Sequence, residues 1–308
     1  MGNLKNLEKY YSLYDKIQEI PRFAIKQVSP ALSIGGRGQK YDTVRKYVNQ
    51  LYTKKISLRP NLVLRTFENC FWRAYFLKVR STKNISSAFV SLTQNPKLSY
   101  VLFLSGEYDF FVTSKQDLSQ KYFGKDIKVK KKCISYTPIY TIPRGWNCTT
   151  KDALLKIAEM TLSKGKLERK MEDWLPWDEI HFKIYEILKN NFQLPLSRVV
   201  EKTSLTYNTI KKYLNEMILP YCNISHYFFP KGYDHYQQSF IITHSEYEKE
   251  LVDAFSRMPC TTYVYPLEEE IVFNLFHESI NDLMYAIRKL EEKGYIEKYL
   301  LQVPLYWE

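Results

Sequence analysis

One seven-residue string occurs twice in this chain. Tyr41-Asp42-Thr43-Val44-Arg45-Lys46-Tyr47 returns as Tyr207-Asn208-Thr209-Ile210-Lys211-Lys212-Tyr213, each position identical or a close substitution, at an offset of 166. Ala88-Phe89 and Ala254-Phe255 keep that offset, as do Pro138-Ile139-Tyr140 and Pro304-Leu305-Tyr306. Ser99-Tyr100-Val101 matches Thr262-Tyr263-Val264 at 163, the slip a loop change leaves behind. Anchors in one order at one offset point to a tandem duplication. A length of 308 residues alone suggests two or more domains. The repeat makes them one two-part unit written twice.

The unit opens with helical spacing. Leu4, Leu7, Tyr11, Tyr14 and Ile17 fall on one face, and Pro21 stops the run. Phe23 to Leu32 reads as a second helix. Ile34-Gly35-Gly36-Arg37-Gly38-Gln39 reads as a turn, and Tyr41 to Tyr52 as a third helix. The second copy has Ile180, Ile184, Ile187 and Leu188, then Pro195 to Lys202, a turn at Thr203-Ser204-Leu205-Thr206, and Tyr207 to Met217. Two helices, a turn and a third helix describe a helix-turn-helix. Each is followed by strand and helix patterns in the order βαββαβ, the ferredoxin-like order. The expected fold class is therefore α+β, with two winged, trihelical helix-turn-helix domains alternating with two ferredoxin-like sensor domains. The expected boundaries are 1–65, 66–145, a linker with one helix over 146–176, 177–235 and 236–308. The charged run Lys164 to Lys170 reads as an exposed linker.

Composition narrows the function classes. No apolar run approaches the ~20 residues of a membrane helix, and the polar N-terminus lacks a signal-peptide core. Five scattered cysteines form no C-x-x-C pair, so the expectation is a cytoplasmic protein without a structural metal, disulfide framework or cofactor. Lys and Arg outnumber Asp and Glu by 45 to 33. The excess is uneven: residues 1–60 carry twelve basic against four acidic groups, and residues 246–308 carry six against thirteen. A basic front and an acidic end suggest a polyanion partner for the first helix-turn-helix. Aromatics reach 16%, with 26 Tyr. At alternating strand positions such rings read as core rather than as stacking platforms.

The segment Leu104-Ser105-Gly106-Glu107-Tyr108-Asp109-Phe110-Phe111 resembles the "TGDYD" turn of the Lrp/AsnC regulators. That family joins a helix-turn-helix to a ferredoxin-like sensor of amino acids, and the resemblance covers nearly the whole chain, twice. It implies a DNA-binding transcriptional regulator, not an enzyme, modulated by an amino acid or similar small effector at Gly106, Glu107, Tyr108 and Asp109. It departs from the family at Glu268-Glu269-Glu270, where three carboxylates replace the glycine turn of the second copy. Double-stranded DNA is the expected partner, met by an internal pseudo-dimer or a homodimer. Its expected contacts are Arg37, Lys40, Tyr41, Thr43, Arg45, Lys46, Lys54, Lys55 and Arg59 in the first copy. In the second they are Tyr207, Asn208, Thr209, Lys211 and Lys212. Polar groups early in a recognition helix reach base edges, and flanking cations meet phosphates. An alternative enzyme reading rests on Ser225-His226-Tyr227 and Thr243-His244, which resemble the sirohaem decarboxylases. Those enzymes share the same fold and place histidines around a tetrapyrrole. They also imply arginines for its carboxylates, where this segment offers Lys231. A third reading is an interaction protein that binds no DNA.

Overall fold

The computed structural model describes residues 4–32 and 40–307. The first half opens with α1 (Leu4–Glu19), α2 (Ile25–Val28) with a 3-10 turn over Ser29–Leu32, and α3 (Lys40–Thr53). Tyr10, Leu13, Tyr14 and Ile17 of α1 bury one stripe against Val44, Val48 and Leu51 of α3, as residues three and four apart share a helix face. Then follow β1 (Asn61–Leu64), β2 (Trp72–Val79), α4 (Ile85–Thr93), β3 (Tyr100–Ser105), β4 (Phe110–Ser114), β5 (Ile127–Ser135), β6 (Ile139–Tyr140) and α5 (Thr150–Glu159).

The second half repeats the pattern. It contains α6 (Glu179–Leu188), α7 (Leu196–Thr203) and α8 (Tyr207–Tyr213), the last extended by a π-helical turn over Leu214–Ile218. Asp178 caps α6 by accepting from the Ile180 and His181 N–H groups, and Thr206 caps α8 through the Thr209 N–H. Ser204, left-handed at φ 60°, ends α7. Next come β7 (Cys222–Ser225), β8 (Gln237–His244), α9 (Glu248–Phe255), β9 (Tyr263–Pro266), β10 (Ile271–His277), α10 (Ile280–Glu292) and β11 (Lys298–Trp307). In the first half a 3-10 turn over Gln120–Phe123 stands where α10 stands in the second.

The fold is α+β. One antiparallel nine-stranded sheet runs β5-β2-β4-β3-β11-β8-β10-β9-β6. Each half contributes four strands in the ferredoxin-like arrangement, joined where β3 meets β11. Val303 faces Ser105 and Pro304 faces Leu104, then the register slips so that Tyr306 faces Phe103. Pro304 has no N–H to donate, and the slip follows it directly. The two-residue β6 crosses over to pair with β9, Tyr140 opposite Tyr263. A separate ribbon pairs β1 with β7, again one strand from each half.

Both sheet faces are apolar, as the two-residue side-chain period requires of a covered sheet. Tyr75, Leu77 and Val79 pack under α4, while Ala74 and Phe76, alternating with them, face the opposite side. Under the second half, α5 supplies Ala153, Leu154, Ile157 and Ala158 to a core with Leu283, Ile287 and Leu290 of α10. In the 164–170 stretch Lys164, Lys166, Glu168 and Lys170 are exposed, while the residues alternating with them dock on the second half. Gly165 exchanges backbone hydrogen bonds with Glu246 and Lys249. Arg169 donates to both carboxylate oxygens of Glu248, at 2.8 and 2.6 Å. Glu248 is 1% exposed, and a carboxylate so buried needs a paired, hydrogen-bonded cation.

Candidate active site

The ribbon and α6 stand over the nine-stranded sheet and leave a cavity of about 650 Å³ between them. Both halves build it. Asn61 to Leu64 of the ribbon form one side, and Tyr185, Lys189 and Asn190 at the end of α6 another. The sheet contributes Trp72, Tyr100, Tyr263, Tyr265, Asn274 and Phe276. Strand alternation selects them: Tyr263 and Tyr265 flank Val264, which belongs to the core on the helix side. Likewise Asn274 and Phe276 alternate with Phe273 and Leu275. The crossing strand β6 adds Tyr140, and the segment between β7 and β8 adds Tyr227 and Tyr233.

The tyrosines form a row. Ring centroids lie 5.3 Å apart for Tyr227 and Tyr140, 4.3 Å for Tyr140 and Tyr263, and 4.1 Å for Tyr263 and Tyr265. Burial pushes the phenols of Tyr140, Tyr227, Tyr263 and Tyr265 well above the ordinary tyrosine value, and neighbouring phenols push them further. Burial likewise raises Tyr100. The row therefore stays neutral, and each hydroxyl keeps a proton to donate. The two lining cations already have partners: Lys55 lies 2.7 Å from Asp234, and Lys189 lies 2.5 Å from Glu186. Asn274 accepts from Gln238 at 2.8 Å, which orients both amides at the sheet floor.

The structure places the predicted effector residues elsewhere, at the β3–β4 turn beside the seam. Gly106 has φ 149°, and a Cβ there would stand 3.1 Å from Gln302 Cγ. Gln302 is fully buried and accepts from the Tyr108 N–H at 3.0 Å. Asp109 accepts from the Val79 N–H at 2.7 Å and from Lys78 at 3.0 Å. Glu107 is exposed. Thus Gly106, Tyr108 and Asp109 are bound into the turn and the joint between halves.

The predicted DNA contacts scatter over the two trihelical units. Arg37 lies outside the described residues, and Lys40 begins α3. Tyr41 and Lys46 are exposed, Thr43 is half-buried, and Arg45 pairs with Asp42 at 3.3 Å. Lys54 is exposed. Lys55 and Arg59 are engaged within the chain, Lys55 with Asp234 and Arg59 over the Tyr52 ring. In the second copy Tyr207, Asn208, Lys211 and Lys212 are exposed, and the Thr209 hydroxyl meets that of Thr206 at 2.8 Å.

No histidine lines the large cavity, contrary to the arrangement expected around a tetrapyrrole. His226 is fully buried behind Tyr227, stacked on Tyr14 with centroids 4.7 Å apart. Its Nε2 lies 2.6 Å from Ser57 Oγ, and the Ser57 hydroxyl reaches the Tyr227 carbonyl, also at 2.6 Å. One hydroxyl has one proton; with that proton on the Tyr227 carbonyl, the imidazole donates to Ser57 through Nε2. Burial lowers its pKa to about 3. His244 pairs with Glu270 at 2.9 Å, and Lys131 of the first half reaches the same carboxylate. His277 meets Ser239 at 2.8 Å beside a smaller cavity of about 440 Å³. His235 meets Glu278, and His181 meets Asp178. Among the described residues no group of three or more His, Cys, Asp or Glu could hold a metal ion. No described helix is long and apolar enough to cross a membrane.

From the sequence, Lys55 reads as a DNA contact and the strand tyrosines as core. Their shared parity on β9 was legible, but the strands and helices that meet above them were not.

No family model and no curated protein sequence matches the chain. Among solved structures it is similar to the siroheme decarboxylase NirDL, at 9% identity and TM-score 0.50, with 96% of this chain and 91% of that one covered. A second structure of NirDL, in complex with an iron-uroporphyrin III analogue, gives 9% identity, TM-score 0.49, and 96% and 92% coverage. The likeness in fold spans both halves and corrects several expectations. A helix-turn-helix followed by a ferredoxin-like sheet, repeated in one chain, is a shape that an enzyme has, and a shared fold does not carry a shared function. The reading as an Lrp/AsnC-type transcriptional regulator without enzymatic activity is overturned. So is the partner that went with it, double-stranded DNA.

Proposed function

We propose that this chain is a tetrapyrrole-binding enzyme whose substrate occupies the cavity between the sheet and the ribbon, and whose reaction class is removal of a carboxyl group from a tetrapyrrole side chain. The observation that carries this is the cavity itself: about 650 Å³, built by both halves and lined with aromatic rings. Pockets for organic ligands run from roughly 300 to 1,000 Å³, with apolar walls and few polar groups. Ring faces suit a flat conjugated macrocycle. Amides at Asn61, Asn190, Gln238 and Asn274 and the lysines Lys55 and Lys189 suit its polar rim. The fold likeness supports the choice of ligand class, because NirDL is a siroheme decarboxylase.

The tyrosine row can serve such a reaction. When a carboxylate leaves as carbon dioxide, the electron pair of the broken C–C bond stays on the side-chain carbon, which must take up one proton. A neutral phenol beside it donates that proton and recovers one from water. Tyr140 is half-buried, lines the cavity and stands between Tyr227 and Tyr263, so it is the phenol at the middle of the row. The test is incubation of the full chain with siroheme, followed by mass spectrometry for loss of carbon dioxide. Turnover should fall about a hundredfold in Tyr140→Phe, which keeps the ring and removes the proton. Siroheme that is neither bound nor altered contradicts the reading.

A further inference from the structure

The cavity has no group suited to hold a metal. Its lining contains no imidazole, thiol or thioether, three of the groups that hold haem iron in proteins. A phenolate can also do so, but the phenols here are buried against one another, and both lining lysines face carboxylates instead. His226 and His277, each next in sequence to a lining residue, are both engaged elsewhere: His226 has its Nε2 on Ser57 and its ring on Tyr14, and His277 has its Nε2 on Ser239. The organic part of a tetrapyrrole is well served by contrast. The rings of Tyr140, Tyr227, Tyr263 and Tyr265 offer a stacking surface. The Lys55–Asp234 pair is exposed on both sides, 50% and 68%. Such an exposed pair contributes little, so a ligand carboxylate can take the place of Asp234 at little cost.

Resting on the tetrapyrrole reading, we infer that this site recognises the macrocycle's faces and carboxylate rim and leaves its metal without a protein ligand, so that metal-free and metal-bearing tetrapyrroles are equivalent ligands. The selective contacts are then Lys55 at the rim and the tyrosine row at the face.

The experiment is a pair of titrations of the full chain, one with protoporphyrin and one with its iron complex, each followed by quenching of tryptophan and tyrosine fluorescence. The expected result is two dissociation constants that agree within about threefold, with Lys55→Gln weakening both by about the same severalfold factor. Iron porphyrin bound tenfold or more tightly, with absorption bands of protein-ligated iron that vanish in His226→Ala, overturns this inference and leaves the tetrapyrrole reading standing. Failure of both porphyrins to bind overturns the two together.

Discussion

Two residues show how single positions are held by their surroundings. His226 is fully buried against Tyr14 of the first trihelical unit, and burial lowers its pKa from 6.5 to about 3. In the unfolded chain the imidazole takes a proton as pH falls through about 6.5, while the fold cannot accept one until about 3. Its contribution is therefore complete above about 6.5 and is lost progressively as pH falls toward 3. Each unit of separation is about 1.4 kcal/mol. Replacing the ring by an apolar one removes that proton uptake. His226→Phe should flatten the fall in urea midpoint between about pH 7 and about pH 4. An unchanged slope would show that another group governs acid sensitivity. Gly106 is constrained differently. Its φ of 149° is one that residues with side chains rarely adopt, and a Cβ would crowd the Gln302 side chain at 3.1 Å. Gly106→Ala should cost about 1–3 kcal/mol, read from thermal or urea unfolding, and a neutral effect would mean the turn relaxes freely.

At the scale of elements, the buried pair of Arg169 and Glu248 fastens the segment before α6 to the start of α9. Removing one partner leaves a buried charge, so Arg169→Met should destabilise by about 3–5 kcal/mol, and Arg169→Met with Glu248→Leu by much less. Equal losses in the single and double variants would refute the pairing argument. The sequence hid this contact because a run of seven mostly charged residues looks the same whether solvated or docked. Periodicity, by contrast, was legible: the stripe of Tyr14 and Ile17, the alternation of Tyr263, Val264 and Tyr265, and the repeated strings placed helices and strands near their observed positions. What alternation could not reveal was which chain segments would cross. The two residues of β6 carry no strand pattern of their own, yet they bring Tyr140 into the tyrosine row. The turn at Gly106 was recognisable as a turn, but its neighbour Gln302 lies far along the chain and belongs to the other half.

At the scale of the whole molecule, the duplication folds into one body. Connections cross between the halves at several places, among them the β3–β11 seam, the β1–β7 ribbon, the β6–β9 pairing and Phe228 in the core beneath α1 and α3. Unfolding should therefore be a single cooperative transition seen alike by circular dichroism and tryptophan fluorescence. Two separated transitions would show that the halves are independent. The same joining creates the cavity, because neither half alone supplies its walls. The central claim is that a flat tetrapyrrole enters there. Val63 offers the most direct control, since it lines the cavity but is only half-buried on the ribbon, between Leu62 and Leu64, which pack into the second trihelical core. Val63→Trp should obstruct the ribbon side of the space without unfolding the chain. The decisive measurement is a porphyrin titration of the unaltered chain and of this variant side by side. Saturable one-to-one binding by the first and none by the second is the predicted result. Binding that survives the plug, with the fold intact by circular dichroism, would contradict the assignment of the site.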